Sequence, residues 1–533
     1  MQEPATGHAI EPPVKSRPLN VLLSREAHSD ERRRKTTWRE VIDHRFKSLT
    51  RQNMRRKLAV IGLGIIIVSV YLNHGFSFRE LIIIAGALTL AAVVFSGERG
   101  IRYGFVLWVL TLGLGYRTIG LTSALRIHPS EILLWVLLTC LGVHRHLVVS
   151  GRLTFPLWLW LIMPFWVLAW WPLIAGNAPW DEMLNEFRNF VLLVPLMIVA
   201  TVVLEQRENW RRLLLALFVT STWIAVMGIL EFWVSGIAAL FPAMITSTSA
   251  GMIEGFERAS FSFWGGPVAI FVCALALPIS IVAIRWWPAA WQRTLIIGSS
   301  VAQIIAIYIA GYRSIWLLMI LEMLLACLLC LKRQRVTIAA ACLLVIIGGY
   351  QFVPQAASHR AYTAIDALRG HATDSSARDR INRAESAFNK MISTPLGNGW
   401  SAAGWVHSDF IQVGANLGLL GGLIFLGGYL YTLARLFRRV LMEPRGEAKG
   451  DLGVSLLLAY ISAGGILATQ GVEVLPQLVL PVWFVWVLVE VWLRQHSHAY
   501  EPGESSNEMP ASEPAFASRW WPAPLAGSRV VKQ

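Results

Sequence analysis

Arginine and histidine side chains at the edges of apolar runs are the part of this sequence best equipped for chemistry. Arg188, in Glu186-Phe187-Arg188-Asn189-Phe190, opens one helical run, and Arg258 precedes another in Arg258-Ala259-Ser260-Phe261-Ser262-Phe263. Arg313 occupies the turn Gly311-Tyr312-Arg313-Ser314 between two more, Arg380 lies in a polar stretch further on, and His407 heads a run in Trp405-Val406-His407-Ser408-Asp409-Phe410. A guanidinium holds phosphate oxygens bidentately and stays charged at any physiological pH. Pulling one toward the middle of a bilayer costs at least about 2.5 kcal/mol, so arginines at a membrane boundary face headgroups, an aqueous cavity or an anionic ligand. An imidazole, with an ordinary pKa of about 6.5, accepts a proton readily near neutrality. A single histidine in such a place is more often structural than catalytic, so its neighbours decide.

No cluster of carboxylates with metal-ligand spacing accompanies these residues, which points to electrostatic stabilisation of an anion by arginine, with no metal and no other cofactor. The five cysteines, Cys140, Cys273, Cys327, Cys330 and Cys342, all fall in apolar runs and read as packing residues. Cys327 and Cys330 have CxxC spacing but lack the flanks of a redox or zinc site.

The elements that must position these groups are membrane helices. Of 533 residues, 55% are hydrophobic and 15% charged, and the mean hydropathy is +0.52, too apolar for a water-soluble chain of this length. Backbone groups in lipid must be satisfied internally, which leaves helix bundles or closed barrels. Barrel strands alternate apolar and polar residues, whereas Leu81 to Phe95 and Val336 to Phe352 are apolar on every side. The expected fold class is an all-α polytopic membrane protein with about 14 transmembrane helices, or at fewest about 12. Candidate spans are 58–72, 81–95, 103–116, 131–143, 155–174, 188–204, 213–233, 264–284, 294–310, 314–331, 336–353, 410–434, 452–470 and 478–493.

The net charge of +14 is concentrated in the first 57 residues and in short loops, a pattern of topology and anionic headgroups rather than of nucleic acid binding. With a cytoplasmic N-terminus, the compact basic loops (Arg99/Arg102, Arg145/Arg152, Arg207/Arg211/Arg212, Arg285/Arg293, Lys332/Arg333/Arg335 and Arg435/Arg438/Arg439) alternate on the inside. The domain organisation that follows is a basic, disordered cytoplasmic tail (1–57), a membrane domain (58–493) with a long outward loop (354–409), and a disordered Pro- and Ser-rich cytoplasmic tail (494–533).

Within the long loop, Ile381, Ala384, Phe388 and Ile392 recur at helical spacing, which predicts an amphipathic helix over Ser375 to Ser393 carrying Arg380, Arg383 and Lys390 on its other parts. Such a helix can lie on the membrane surface or serve a site. The turn Pro395-Leu396-Gly397-Asn398-Gly399-Trp400 follows, and its glycines permit close approach to a ligand or another helix.

This order of features resembles the O-antigen polymerase and ligase superfamily, whose members transfer glycans from undecaprenyl-diphosphate carriers at the periplasmic side of the bacterial inner membrane. The resemblance covers about residues 180–440. It rests on Gly311-Tyr312-Arg313-Ser314-Ile315-Trp316-Leu317, Arg380 upstream of Pro395-Leu396-Gly397-Asn398-Gly399, His407-Ser408-Asp409-Phe410-Ile411-Gln412, and Asn416-Leu417-Gly418-Leu419-Leu420-Gly421. The family often has Asn after the motif histidine and Glu before the Leu-Gly step, where this chain has Ser408 and Asn416. The resemblance implies a GT-C-like bundle with a long periplasmic loop before the twelfth span, both termini in the cytoplasm, and a metal-independent glycosyltransferase. It makes His407 the base and Arg313 the catalytic arginine, with Arg188, Arg258 and Arg380 binding the lipid-diphosphate donor, and Asp409 available to orient His407. The implied partners are undecaprenyl-diphosphate-linked oligosaccharide, membrane lipids and other polysaccharide assembly proteins.

Polymerisation of polysaccharide repeat units is the preferred reaction, with O-antigen ligation and protein O-oligosaccharide transfer as alternatives that motifs do not separate. A transporter or flippase of lipid-linked sugar also suits so many helices, and Glu322 is its best candidate for ion coupling. A membrane scaffold would explain the polar tails but leave the outward arginines and histidine unused.

Overall fold

The computed structural model describes residues 97–114, 119–120, 126–143, 155–175, 179–234, 252–253, 256–257, 261, 269–287, 289–330, 375–443, 448–470 and 476–497. The candidate spans 58–72, 81–95 and 336–353, the basic tail, the C-terminal tail from 498 onward and Arg258 lie outside these residues. The chain divides into Met1–Ala91 and Ala92–Gln533, and the described residues belong to the second unit.

The described residues are helical, apart from turns, short extended stretches and two-residue antiparallel pairings of Ile119–Gly120 with Arg126–Ile127 and of Met252–Ile253 with Phe256–Glu257. Its helices are α1 (Gly97–Thr111), α2 (Pro129–Val143), α3 (Leu157–Leu168), α4 (Trp171–Ile174), α5 (Trp180–Val191), α6 (Leu193–Leu204), α7 (Arg207–Trp233) and α8 (Ile270–Ala276). They continue as α9 (Ile279–Trp286), α10 (Ala290–Ile309), α11 (Arg313–Leu329), α12 (Ser375–Ser393), α13 (Asp409–Met442), α14 (Ala448–Thr469) and α15 (Pro476–Ser497). Among the described residues, seven stretches are long and apolar enough to cross a membrane: Leu157–Ile174, Trp180–Leu204, Glu208–Trp233, Ala290–Ile309, Asp409–Met442, Lys449–Thr469 and Leu478–His496. Pro129–Val143 and Ser314–Leu329 are shorter apolar helices. The chain is a multi-pass helical membrane protein.

α15 is the centre of the bundle, with 89% of its apolar window buried. A helix that is apolar on all sides belongs inside other helices. Its Trp483 and Trp486 meet Trp158 of α3, Phe190 of α5, Phe425 and Tyr429 of α13 and Tyr460 of α14 in one aromatic cluster. Aromatic pairs at these separations add about 0.5–1.5 kcal/mol each beyond the area they bury. α14 returns alongside α13 and packs against α15.

Several predicted spans differ from the observed helices, three of them for identifiable reasons. The span expected at 188–204 begins at Trp180, so Arg188 lies in the last turn of α5 and opens no helix. Asp181, Glu182, Asn185 and Glu186 lowered the hydropathy of this segment, although several of these polar groups find partners inside the protein. The span at 264–284 is interrupted before Ile279, where Pro278 supplies no backbone N–H to continue α8. The span at 410–434 is part of a longer α13 that is broken at Gly418, whose φ of 85° and ψ of 171° are non-helical.

Candidate functional site

α5 is strongly amphipathic, and two of its charged residues, two positions apart, point to different sides of the helix. Glu186 turns toward the segment that carries His407. Its carboxylate accepts hydrogen bonds from the Ser401 backbone N–H (2.7 Å), the Asn416 amide (2.7 Å) and the Gln412 amide (3.1 Å). Gln412 in turn accepts from the Val406 N–H at 3.1 Å. One buried carboxylate thereby ties α5 to the turn before His407 and to the first two turns of α13. Arg188 turns the other way, and its Nε lies 3.1 Å from Oε2 of Glu131 at the start of α2. Glu131 is buried and also accepts from the His128 N–H (3.0 Å).

The turn after α12 repairs the break in α13. At Gly418 the helix gives up hydrogen bonds, and carbonyls freed in a membrane helix need replacement donors. Asn398 N–H reaches the Ala415 carbonyl (3.3 Å), as does its side-chain amide (3.1 Å), and Gly399 N–H reaches the Asn416 carbonyl (3.0 Å). The approach is close enough that a Cβ on Gly397 would run into the Asn416 oxygen, and one on Gly418 into the Pro395 oxygen. Both glycines have positive φ, 95° and 85°, which L side chains adopt at a cost. The motifs Pro395–Gly399 and Asn416–Gly418 are therefore two halves of one joint. Trp400, fully buried, pins the joint to α3 through the Trp166 and Ala169 carbonyls and to α5 through the rings of Phe187 and Phe190.

α12 occupies the residues its periodicity predicts. Asp379 and Arg383 pair along it at 2.9 Å, and Lys390 donates to the Ala402 carbonyl at 2.9 Å. The helix packs through small residues, Ala387 and Ala384, against Val406, Ala403, Ala415 and Ile411. This packing sets Arg380 and Arg383 near His407. The imidazole stacks obliquely on Trp405, with ring centroids 4.5 Å apart, and among the described residues its buried Nδ1 has no hydrogen-bond partner. Partial burial, followed by the positive charge of Arg380 and then of Arg383, pushes its pKa down to about 4, and Asp379 opposes the shift. The carboxylate acting on the ring is that of Asp379, while Asp409 is buried in the first turn of α13.

Arg313 is the first residue of α11. Its neighbour Ser314 accepts a hydrogen bond from Gln470, just past the C-terminus of α14. Because α14 runs back along α13, this contact puts the start of α11 at the end of the bundle where α13 begins. Arg188, Arg313, Arg380 and His407 thus share one end, and Arg380 is the one that acts on His407, whereas Arg188 engages Glu131. The opposite end holds Arg285 paired with Asp451, Arg439 with Glu443 (2.9 Å), and Arg211 donating to the Trp286 carbonyl (3.2 Å). Among the described residues, no three His, Cys, Asp or Glu side chains converge where a metal ion would sit.

No family model matches the chain, and no curated protein matches it. The organisation of this end therefore rests on its own geometry. Sequence reasoning missed Glu186 and Glu131, the carboxylates that fix the two faces of α5. The available signal was an unusual density of polar residues, Asp181 to Asn189, directly abutting an apolar run.

Proposed function

We propose that this chain transfers a glycan from an undecaprenyl-diphosphate carrier to an acceptor hydroxyl at the periplasmic face of the bacterial inner membrane. Polymerisation of polysaccharide repeat units is the preferred form, and ligation to lipid A core or to a protein is the alternative within the same chemistry. The observation that carries the reading is the packing of α12, which bears Arg380 and Arg383, against the segment that carries His407 at the head of a membrane-crossing helix. The finer architecture belongs to the same proposal: about 14 spans in a GT-C-like bundle, with both termini cytoplasmic.

In this mechanism the acceptor hydroxyl gives its proton to His407 and its oxygen bonds to C1 of the donor sugar, while the bond from C1 to the diphosphate oxygen breaks. Charge gathers on the departing diphosphate, where guanidinium groups stabilise it most. Arg313 and Arg380 are the first candidates to hold it. Arg188 serves this role only by exchanging Glu131 for the donor, and Arg258, outside the described residues, is a further candidate from its place at the boundary of an apolar run. Binding a diphosphate beside Arg380 and Arg383 also offsets the positive charge of these arginines, so His407 becomes a stronger base when the donor is present.

The transporter reading depends on Glu322, the buried carboxylate of α11. Ser462 of α14 donates to it across the helix pair, the form of a packing contact between membrane helices. In proteoliposomes supplied with purified undecaprenyl-diphosphate oligosaccharide, His407→Ala is expected to slow transfer by about 10²- to 10⁴-fold. Arg313→Ala is expected to slow it by about 10²- to 10³-fold. Two variants as active as wild type would remove these residues from the chemistry.

A further inference from the structure

α12 has a face that the described residues leave uncovered. Ile381, Phe388 and Ile392 are 52%, 46% and 52% exposed, although they are its largest apolar side chains. At 100° per residue they fall within a wedge of about 40°, one narrow stripe along the helix. The helix meets the protein through Ala387 instead, and Met391 packs on Gly414 of α13. In water such a stripe would be an exposed apolar patch requiring an occupant.

The position of the helix identifies the occupant. α12 packs against Gly414 and Ala415, which lie five and six residues into α13, roughly 7–9 Å along its axis. α13 is itself long and apolar enough to cross the membrane, and its Leu420 and Leu423 are exposed, as lipid-facing side chains of such a helix are. α12 is therefore held at the height where a membrane-crossing helix enters the bilayer. Its sequence also carries Arg378, Arg380, Arg383 and Lys390 against Asp379 and Glu385, a basic balance suited to anionic headgroups.

We infer that α12 is an interfacial helix whose Ile381, Phe388 and Ile392 stripe is immersed at the acyl boundary of an anionic phospholipid leaflet. This immersion holds whatever reaction the protein performs. Combined with the proposed function, it fixes Arg380 and His407 at headgroup depth, where the diphosphate of a lipid-anchored donor lies.

The test places photoreactive p-benzoylphenylalanine at position 388, 392 or 386 of the full chain in vesicles of phosphatidylethanolamine and phosphatidylglycerol. Ser386 is exposed on a side of the helix roughly 140° from the stripe. Illumination followed by mass spectrometry is expected to give phospholipid adducts at 388 and 392 at least about fivefold more abundant than at 386. Crosslinks from 388 and 392 to another segment of the chain or to a second copy would overturn the inference. So would equal lipid adducts at all three positions, or none. The readout does not use glycan transfer, so an inactive preparation with adducts on the stripe would count against the proposed reaction and not against the immersion.

Discussion

His407 is asked to accept a proton in a place that resists protonation. Burial is the larger cause and the charges of Arg380 and Arg383 the next, and together they hold its pKa at about 4. The ring is therefore neutral, and able to act as a base, across the whole range around neutrality. The profile of kcat/KM reports the free enzyme, so its acidic limb is expected near pH 4–5; a limb centred near about 6.5, the ordinary histidine value, would contradict this environment. The sign for stability runs the same way. As pH falls from about 6.5 toward 4, the unfolded chain takes up a proton that the folded chain refuses, so this residue lowers stability over that window and has no effect above it. Glu186 makes the second residue-scale prediction. Glu186→Ala leaves the donors of Ser401, Gln412 and Asn416 without their acceptor. The expected cost is about 2–4 kcal/mol, seen as a lower midpoint of thermal unfolding in detergent. An unchanged midpoint would mean that the turn is held by other contacts.

At the scale of elements, the joint between the Pro395–Gly399 turn and the broken α13 is the feature most specific to this chain. Gly418→Ala combines strain at positive φ with a clash on the Pro395 carbonyl. A loss of at least about 1–3 kcal/mol is expected in the same unfolding measurement, together with reduced transfer activity as the His407 segment shifts. Full stability and activity would show that α13 can close into a regular helix without consequence. Both halves of this joint stood in the sequence as short glycine motifs, but their mutual contact did not. Periodicity reports which residues share a face of one element, and it set the limits of α12 at Ser375 and Ser393. It carries no information on which carbonyls a distant turn will satisfy, so α13 read as one continuous span. α5 failed differently, because hydropathy penalises Glu186 and Arg188 as though they met lipid, when both have partners inside the protein.

At the scale of the whole molecule, the bundle is polarised. One end holds Arg285 with Asp451 and Arg439 with Glu443, and the other holds Arg188 with Glu131, Arg383 with Asp379, and His407 within the field of Arg380 near the entry of α13. Hydropathy and charge alternation made the multi-pass helical architecture legible from the sequence, since each candidate span within the described residues falls on helix. The site was legible as residue types at a membrane boundary, while the reaction came from resemblance. The most direct measurement follows purified wild-type protein in proteoliposomes loaded with undecaprenyl-diphosphate oligosaccharide, quantifying free undecaprenyl diphosphate and glycan length together. Glycan transfer predicts one undecaprenyl diphosphate released for each oligosaccharide added to an acceptor. Movement of the lipid-linked sugar across the bilayer with its glycan unaltered and no carrier released would contradict it.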